Sequence, residues 1–263
     1  RRQRQMCIRD RIAMGACSAT SKNQAEVVTD TWGKYNVGTI LFEDKAPETK
    51  GSDVYHRIIP DAESYIKAQA REVLATLYNS PDDSIPTVNK IHYTLEDIEG
   101  VSAKGGGNGD VTIFYSTRHI EKSFAKNDTA KLFFETRGVL LHELTHAYQL
   151  EPQGIGSYGT NRVFWAFIEG MADAVRVANG GFDGPNARPK GGNYMDGYRT
   201  AGYFFVWLRD NKDPEFLRKF NRSTLEVVPW SFDGAIKHIL GNEYNIDELW
   251  HEYQVAVGDI QAQ

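Results

Sequence analysis

The chain has 263 residues, of which 41% are hydrophobic and 12% aromatic, enough to fill the core of one large domain or two modest ones. Its formal charge of −5 comes from interspersed acidic and basic residues, which leaves no basic footprint for DNA, RNA or an anionic membrane and argues against a nucleic-acid partner. No apolar run approaches the roughly 20 residues of a membrane-spanning helix, and both cysteines, Cys7 and Cys17, precede the main body, so that body holds no cysteine metal cluster or disulfide framework.

The chain begins with "RRQRQMCIRDR" (1–11), which is strongly charged, lacks periodicity and matches neither a signal peptide nor a helix. It reads as translated sequencing-adapter DNA standing in place of the true start. The next stretch, "IAMGACSATSKNQ", resembles the end of a bacterial lipoprotein signal: small residues, then Cys17, then a polar spacer. That reading implies a secreted or envelope-anchored protein; a lone cysteine in a disordered tail is the other reading. Residues 1–36 are therefore expected to lie outside the fold, with one domain over 37–257.

"VGTILFED" (37–44) reads as a strand and "KAPETKGSD" as a polar loop leading to a helix near Pro60. Over 61–79, Tyr65, Ile66, Ala70, Val73, Leu74 and Leu77 recur at helical spacing with charge opposite, which predicts an amphipathic surface helix. "TVNKIHYTLED" and "DVTIFYST" carry β-branched and aromatic residues and predict paired strands. "AKGGGNG" between them predicts a flexible loop of close approach. Helices follow at 130–150, 163–178, 196–210, 214–221, 232–240 and 245–257, with a long Gly/Pro loop over 180–193. The expected class is α+β, strands first: a small, mostly antiparallel sheet, an active-site helix and a helical C-terminal half. The active-site cleft is expected between 37–150 and 151–257.

"LLHELTHAYQ" (140–149) places His142 and His146 about 40° apart and one turn apart on a helix, close enough for both imidazoles to reach one ion. Leu140, Leu144 and Ala147 point the other way, into the core, and Gly138 removes bulk one turn earlier. Glu143 lies on the flank of the histidine face, placed to take a proton from water rather than to bind the ion. The pattern alone leaves open two satisfied histidines and a solvated glutamate on a half-exposed face.

A second helix bears on that choice. "VFWAFIEGMADAVRV" (163–177) is apolar nearly all round, yet Glu169 and Asp173 sit in its middle, one turn apart. A buried carboxylate costs several kcal/mol unless a cation or donors meet it, at roughly the magnitude of an unpaired buried ion. An ion on His142 and His146 would supply the cation for Glu169, and Asp173 would accept the spare N–H of a histidine. Gly170 would let these two helices approach. Salt bridges from Glu169 or Asp173 to Arg176 or Arg162 would satisfy the same charges, and spacing does not fix which carboxylate is the ligand.

"HELTH" followed by "IEGMADAVR" resembles the zincin metallopeptidases of the glutamate-ligand type, and more closely the plant basic secretory protein family with its bacterial and fungal relatives. Softer matches run from about 37 to 257, among them "VSAKGGGNGDVTIFYS", "DGYRTAGYFFVWL" and "DELWHEYQ". The resemblance implies His142, His146 and Glu169 as ligands of a Zn2+ ion, Glu143 as general base and Asp173 behind the ligands. The chain is acidic, so the family's "basic" does not describe it.

Three protein ligands leave one position for water, the mark of a catalytic zinc site. The implied function is a secreted zinc-dependent metallopeptidase acting on a peptide or protein, as a monomer, through a zinc-activated water. An inactive zinc-bearing module for glycans or cell-wall polymers is the alternative, and the intact Glu143 argues against it. A developing oxyanion calls for a further donor; Tyr198 is the first candidate and Tyr203 the second, with a packed tyrosine whose hydroxyl is already satisfied as the other reading of each. The resemblance to zincins further implies that the strand "DVTIFYST" rims the cleft, where an extended substrate could add to it as another strand. His56, His92, His119, His238 and His251 lack ligand spacing and read as structural, and the aromatics of "YGTNRVFWAF" read as core.

Overall fold

A computed structural model describes residues 31–261 of the chain. The adapter-like segment and Cys17 lie outside the described residues. Within them the fold begins earlier than expected: Trp32 is 1% exposed and belongs to the same core as the sheet. An indole of that size gains more from burial than a polar tail would, so the domain boundary moves upstream of 37.

Four strands form one sheet: β1 (Thr39–Asp44), β2 (Lys90–Glu96), β3 (Ser102–Gly107) and β4 (Asp110–Ser116), in the spatial order β1-β2-β4-β3. β1 pairs with β2 and β2 with β4 in parallel, and only β3 runs antiparallel, against β4. The expectation of a mostly antiparallel sheet is thus corrected, while the α+β class stands. Parallel pairing needs a long crossover, and two helices, α1 (Lys50–Ile58) and α2 (Ala62–Leu77), fill the stretch between β1 and β2. Thr49 caps α1 by accepting from the Ser52 amide, so much of the expected polar loop is helical.

The glycine run is also a strand, not a loop. Asn108 and Gly109 both have positive φ, 52° and 83°, and Gly107 pairs with Asp110. This is the backbone of a two-residue hairpin turn, for which Asn-Gly is the preferred sequence. At Gly106 (φ +83°) a Cβ would lie 2.0 Å from the Asp110 carbonyl oxygen, so only glycine lets β3 pair there.

Alternation gives the sheet one core face, built by Ile91, Tyr93 and Leu95 of β2 opposite Val111, Ile113 and Tyr115 of β4. Ser116 then caps a short helix, α3 (Thr117–Ser123), where a strand ending at Thr117 was expected. The long helix α4 (Thr129–Tyr148) packs on α2 and on the edge strand β3. α5 (Arg162–Ala178), α6 (Tyr198–Asn211), α7 (Phe216–Glu226), α8 (Phe232–Leu240) and α9 (Ile246–Ala256) complete the helical half. An aromatic cluster of Phe167, Phe205, Phe220, Trp230 and Phe232 welds α5, α6, α7 and α8 together.

Candidate metal centre

Helix α4 is anchored by Leu140, Leu144 and Ala147, all buried as the sequence predicts, and turns His142, Glu143 and His146 toward a cleft of about 790 Å³. α5 crosses it in the opposite sense, capped by Asn161, whose side chain accepts from the amides of Val163 and Phe164. The cleft takes its walls from both sides of residue 150, with Val101–Lys104 of the β3 edge along one rim. The expected rim strand, "DVTIFYST", is instead the interior strand β4, because β3 covers its outer edge.

Three donors from these helices converge. His142 Nε2 lies 3.1 Å from His146 Nε2, and Glu169 Oε2 lies 3.3 Å and 3.6 Å from the same two atoms. A tetrahedral ion with bonds of about 2.0–2.2 Å separates its ligands by about 3.3–3.6 Å; Glu169 Oε2 already stands at that spacing from both imidazoles, and the two imidazole nitrogens are about 0.2 Å closer than that. Glu169 is 4% exposed, and its Oε2 has no hydrogen-bond partner among the described residues. A buried orphan carboxylate oxygen aimed at two imidazole nitrogens fits a missing cation. The donor set, two imidazoles and one carboxylate, suits zinc and related divalent metals.

The outer partners fix these donors. Asp173 Oδ1 accepts from His142 Nδ1 at 2.7 Å, which leaves Nε2 free for an ion. Burial alone would push the His142 pKa down; the hydrogen bond to Asp173 and the Glu169 carboxylate beside Nε2, with the charges of Asp173 and Glu143, outweigh it and raise it to about 10. Burial would likewise raise Glu169, but the imidazoles of His142 and His146 beside its Oε2, with the Tyr158 hydroxyl on its Oε1, hold it well below the usual carboxylate range. The rival salt bridges do not form among the described residues: Arg176 pairs with Glu135 at 2.8 Å, and Arg162 donates to the Met195 carbonyl, lies over the Trp165 ring and has Asp196 at 4.0 Å as its carboxylate.

Glu143 is 6% exposed and lines the cleft, with no ion pair among the described residues. Tyr198 also lines it, its ring stacked 6.0 Å from that of His142 at 13° and set edge-on against Trp165. Gly197 (φ +65°) permits this placement, since a Cβ there would lie 2.8 Å from the Trp165 ring. Burial, then the charges of Glu169, Asp173 and Glu143, raises the Tyr198 pKa, so its hydroxyl keeps its proton. Tyr203, the second candidate, is not at the site: its hydroxyl donates to the Phe182 carbonyl. Gly170 does permit a close helix approach, but to α6 at Ala201 and Phe205 rather than to α4.

Two residues of the site were not foreseen. Tyr158, assigned to the core from its aromatic neighbours, donates its hydroxyl to Glu169 Oε1 at 2.5 Å and lines the cleft. Gln149 places its side-chain amide 2.8 Å from His146 Nδ1. Its signal was the spacing, three residues after His146 on the same helical face. Four of the remaining histidines pair with Asp44, Glu43, Glu135 and Glu226, away from the donors.

Searches against curated proteins and against solved structures returned no match. The sequence model of the family described as peptidase of plants and bacteria matches residues 38–253, which runs from β1 into α9 and takes in every residue of the centre. The chain belongs to that family of peptidases.

Proposed function

We propose that the protein is a zinc-dependent metallopeptidase in which His142, His146 and Glu169 hold the ion and Glu143 is the general base. The observation that carries this reading is the convergence of the three donor atoms around an otherwise unpartnered Glu169 Oε2. Family membership supports a peptide substrate.

Held by His142, His146 and Glu169, a zinc ion would supply Lewis-acid chemistry to a water and to the substrate carbonyl. Glu143 takes the proton of the attacking water and returns it to the leaving amine. Its burial in the cleft wall fixes the carboxylate for both transfers. The Tyr198 hydroxyl, which keeps its proton, donates to the oxyanion that develops on the substrate carbonyl. Asp173 and Gln149 orient the two imidazoles, and Tyr158 orients Glu169. The outer edge of β3 offers backbone groups to an extended peptide, aligning it along the cleft. Secretion, or anchoring through Cys17, belongs to the same proposal and rests on the sequence alone.

Metal analysis of the purified protein, with a peptide-library digest by wild type and Glu143→Ala, tests this. One equivalent of zinc and cleavage that depends on Glu143 and is abolished by a chelator are expected. Zinc without Glu143-dependent cleavage would leave only a binding module, and chelator-resistant cleavage would remove the mechanism.

A further inference from the structure

α4 and α5 run antiparallel through the centre, so the cleft has two chemically different ends. Beyond His146 lie Gln149, Phe164 and Tyr158; before His142 lie Val139 and, from α5, Arg176. Arg176 is 5% exposed, yet it lines the cleft. Its Nη2 donates to Glu135, its Nε is buried without a partner, and its Nη1 has no hydrogen bond among the described residues. The space for this guanidinium is made by Gly138, where a Cβ would lie 2.3 Å from Nε.

The loop after α5 completes that end. Phe182 adopts φ +55°, a left-handed conformation that a phenylalanine rarely takes, and Tyr203 holds its carbonyl. Its ring centroid lies 3.7 Å from the Arg176 guanidinium carbon and 5.3 Å from that of Arg199. Arg199 lines the cleft and bonds only the Ala187 carbonyl, at 3.2 Å, with no carboxylate paired to it among the described residues. Two guanidinium groups thus converge on one end of the cleft, with Glu135 as the one carboxylate paired to either among the described residues. Arg199 thus stands next to an apolar ring with no paired carboxylate among the described residues.

We infer that this end of the cleft receives a carboxylate of the substrate, gripped by Arg176 and Arg199 with its carbon stem on Phe182. The inference rests on the peptidase reading and adds the substrate class to it. Planar guanidinium forks match a carboxylate in two hydrogen bonds, whereas a neutral side chain would leave Arg199 without a counter-charge, and Arg176 with Glu135 alone, once water is expelled. An acidic side chain near the scissile bond and the C-terminal carboxylate of a short peptide share this chemistry.

The zinc-loaded Glu143→Gln protein is titrated with fluorescein-labelled peptides of alanine, leucine and serine, while the wild-type digest of the same peptides is sequenced. One series is amidated and neutral, a second is amidated with a single glutamate moved along it, and a third is neutral with a free C-terminus. Binding about tenfold tighter is expected for one glutamate position or for the free C-terminus, which tells the two sources apart. Arg199→Gln should remove most of that advantage, and Arg176→Lys, which keeps the charge but not the fork, should reduce it. Equal binding of all three series, or an advantage that survives Arg199→Gln, would overturn the inference even if cleavage proceeds. A carboxylate advantage in binding with no wild-type cleavage would uphold it and overturn the peptidase reading alone.

Discussion

His142 and Asp173 face one another between α4 and α5, with Nδ1 2.7 Å from Oδ1, and Asp173 is only 4% exposed. The contact sets which imidazole nitrogen is left for an ion. Removing it in Asp173→Ala is expected to weaken zinc binding about 10- to 100-fold. Asp173→Asn should recover part of the loss, because its oxygen still accepts the Nδ1 proton. Competition with a chromophoric chelator measures both, and an unchanged affinity in the alanine variant would remove the orienting role.

The hydroxyl of Tyr158 gives Glu169 its other partner, at 2.5 Å. A donor to a carboxylate is among the stronger hydrogen bonds, but Tyr158 is 46% exposed, so solvent screens it. Tyr158→Phe is expected to weaken zinc binding on the order of 3- to 10-fold, less than Asp173→Ala. The same competition assay checks the order of the two effects, and a reversed order would mean that Tyr158 rather than Asp173 dominates the outer contacts.

How far the sequence discloses this site follows from what each residue depends on. His142, His146, Glu169 and Asp173 are legible because helical spacing and the cost of buried charge are local properties. Tyr158 sits in the loop before α5 and reaches Glu169 only through the path of that loop, which no periodicity encodes. The sheet shows the same divide. Ile91, Tyr93, Val111 and Ile113 announce strands, whereas parallel order depends on pairing partners far apart in the chain. Two clues were local and still misleading: the glycines of β3 oppose strand propensity, and the Asn108-Gly109 hairpin signal was hidden among them.

Without metal, the proton on His142 is held by Asp173 and Glu169 up to a pKa of about 10, above the ordinary histidine value. A raised folded-state pKa contributes stability that is present below about 6.5 and lost as pH climbs through the folded value. The metal-free protein should therefore melt at falling temperature between about pH 7 and pH 10. Zinc must displace that proton, so its affinity should rise about tenfold per pH unit over the same window, with one proton released on binding. Calorimetry in buffers of different ionisation enthalpy counts the proton; none released at pH 7.5 would show His142 already neutral.

Tyr198 and Tyr203 separate by where their hydroxyls go. Tyr198 stacks beside His142 in the cleft, whereas Tyr203 donates to the Phe182 carbonyl. Loss of one oxyanion donor lowers kcat about 100-fold or more, with a smaller change in KM. Tyr198→Phe should behave so, and Tyr203→Phe should lower kcat far less. Steady-state kinetics on one peptide decides it; a Tyr198→Phe enzyme with undiminished kcat would leave Tyr198 as packing alone.

The donor geometry also depends on how closely α5 meets α6. A Cβ at Gly170 would lie 2.7 Å from both Ala201 Cβ and Phe205 Cε2, and one at Gly202 would lie 2.9 Å from the backbone at Asp173 and Ala174. Alanine in a helix gains about 1 kcal/mol over glycine, and overpacking costs about 1–3 kcal/mol. At Gly170 the obstacles are a Cβ fixed to its backbone and a ring that is fully buried, so neither can rotate away. The overpacking term should win, and Gly170→Ala should lose about 1–2 kcal/mol in urea unfolding. Gly170 adjoins Glu169, so the strain would push a ligand out of line as well, and zinc affinity should fall with stability. A Gly170→Ala protein that is more stable and binds zinc as before would show that helix propensity outweighs the close approach and that the centre tolerates a displaced α5.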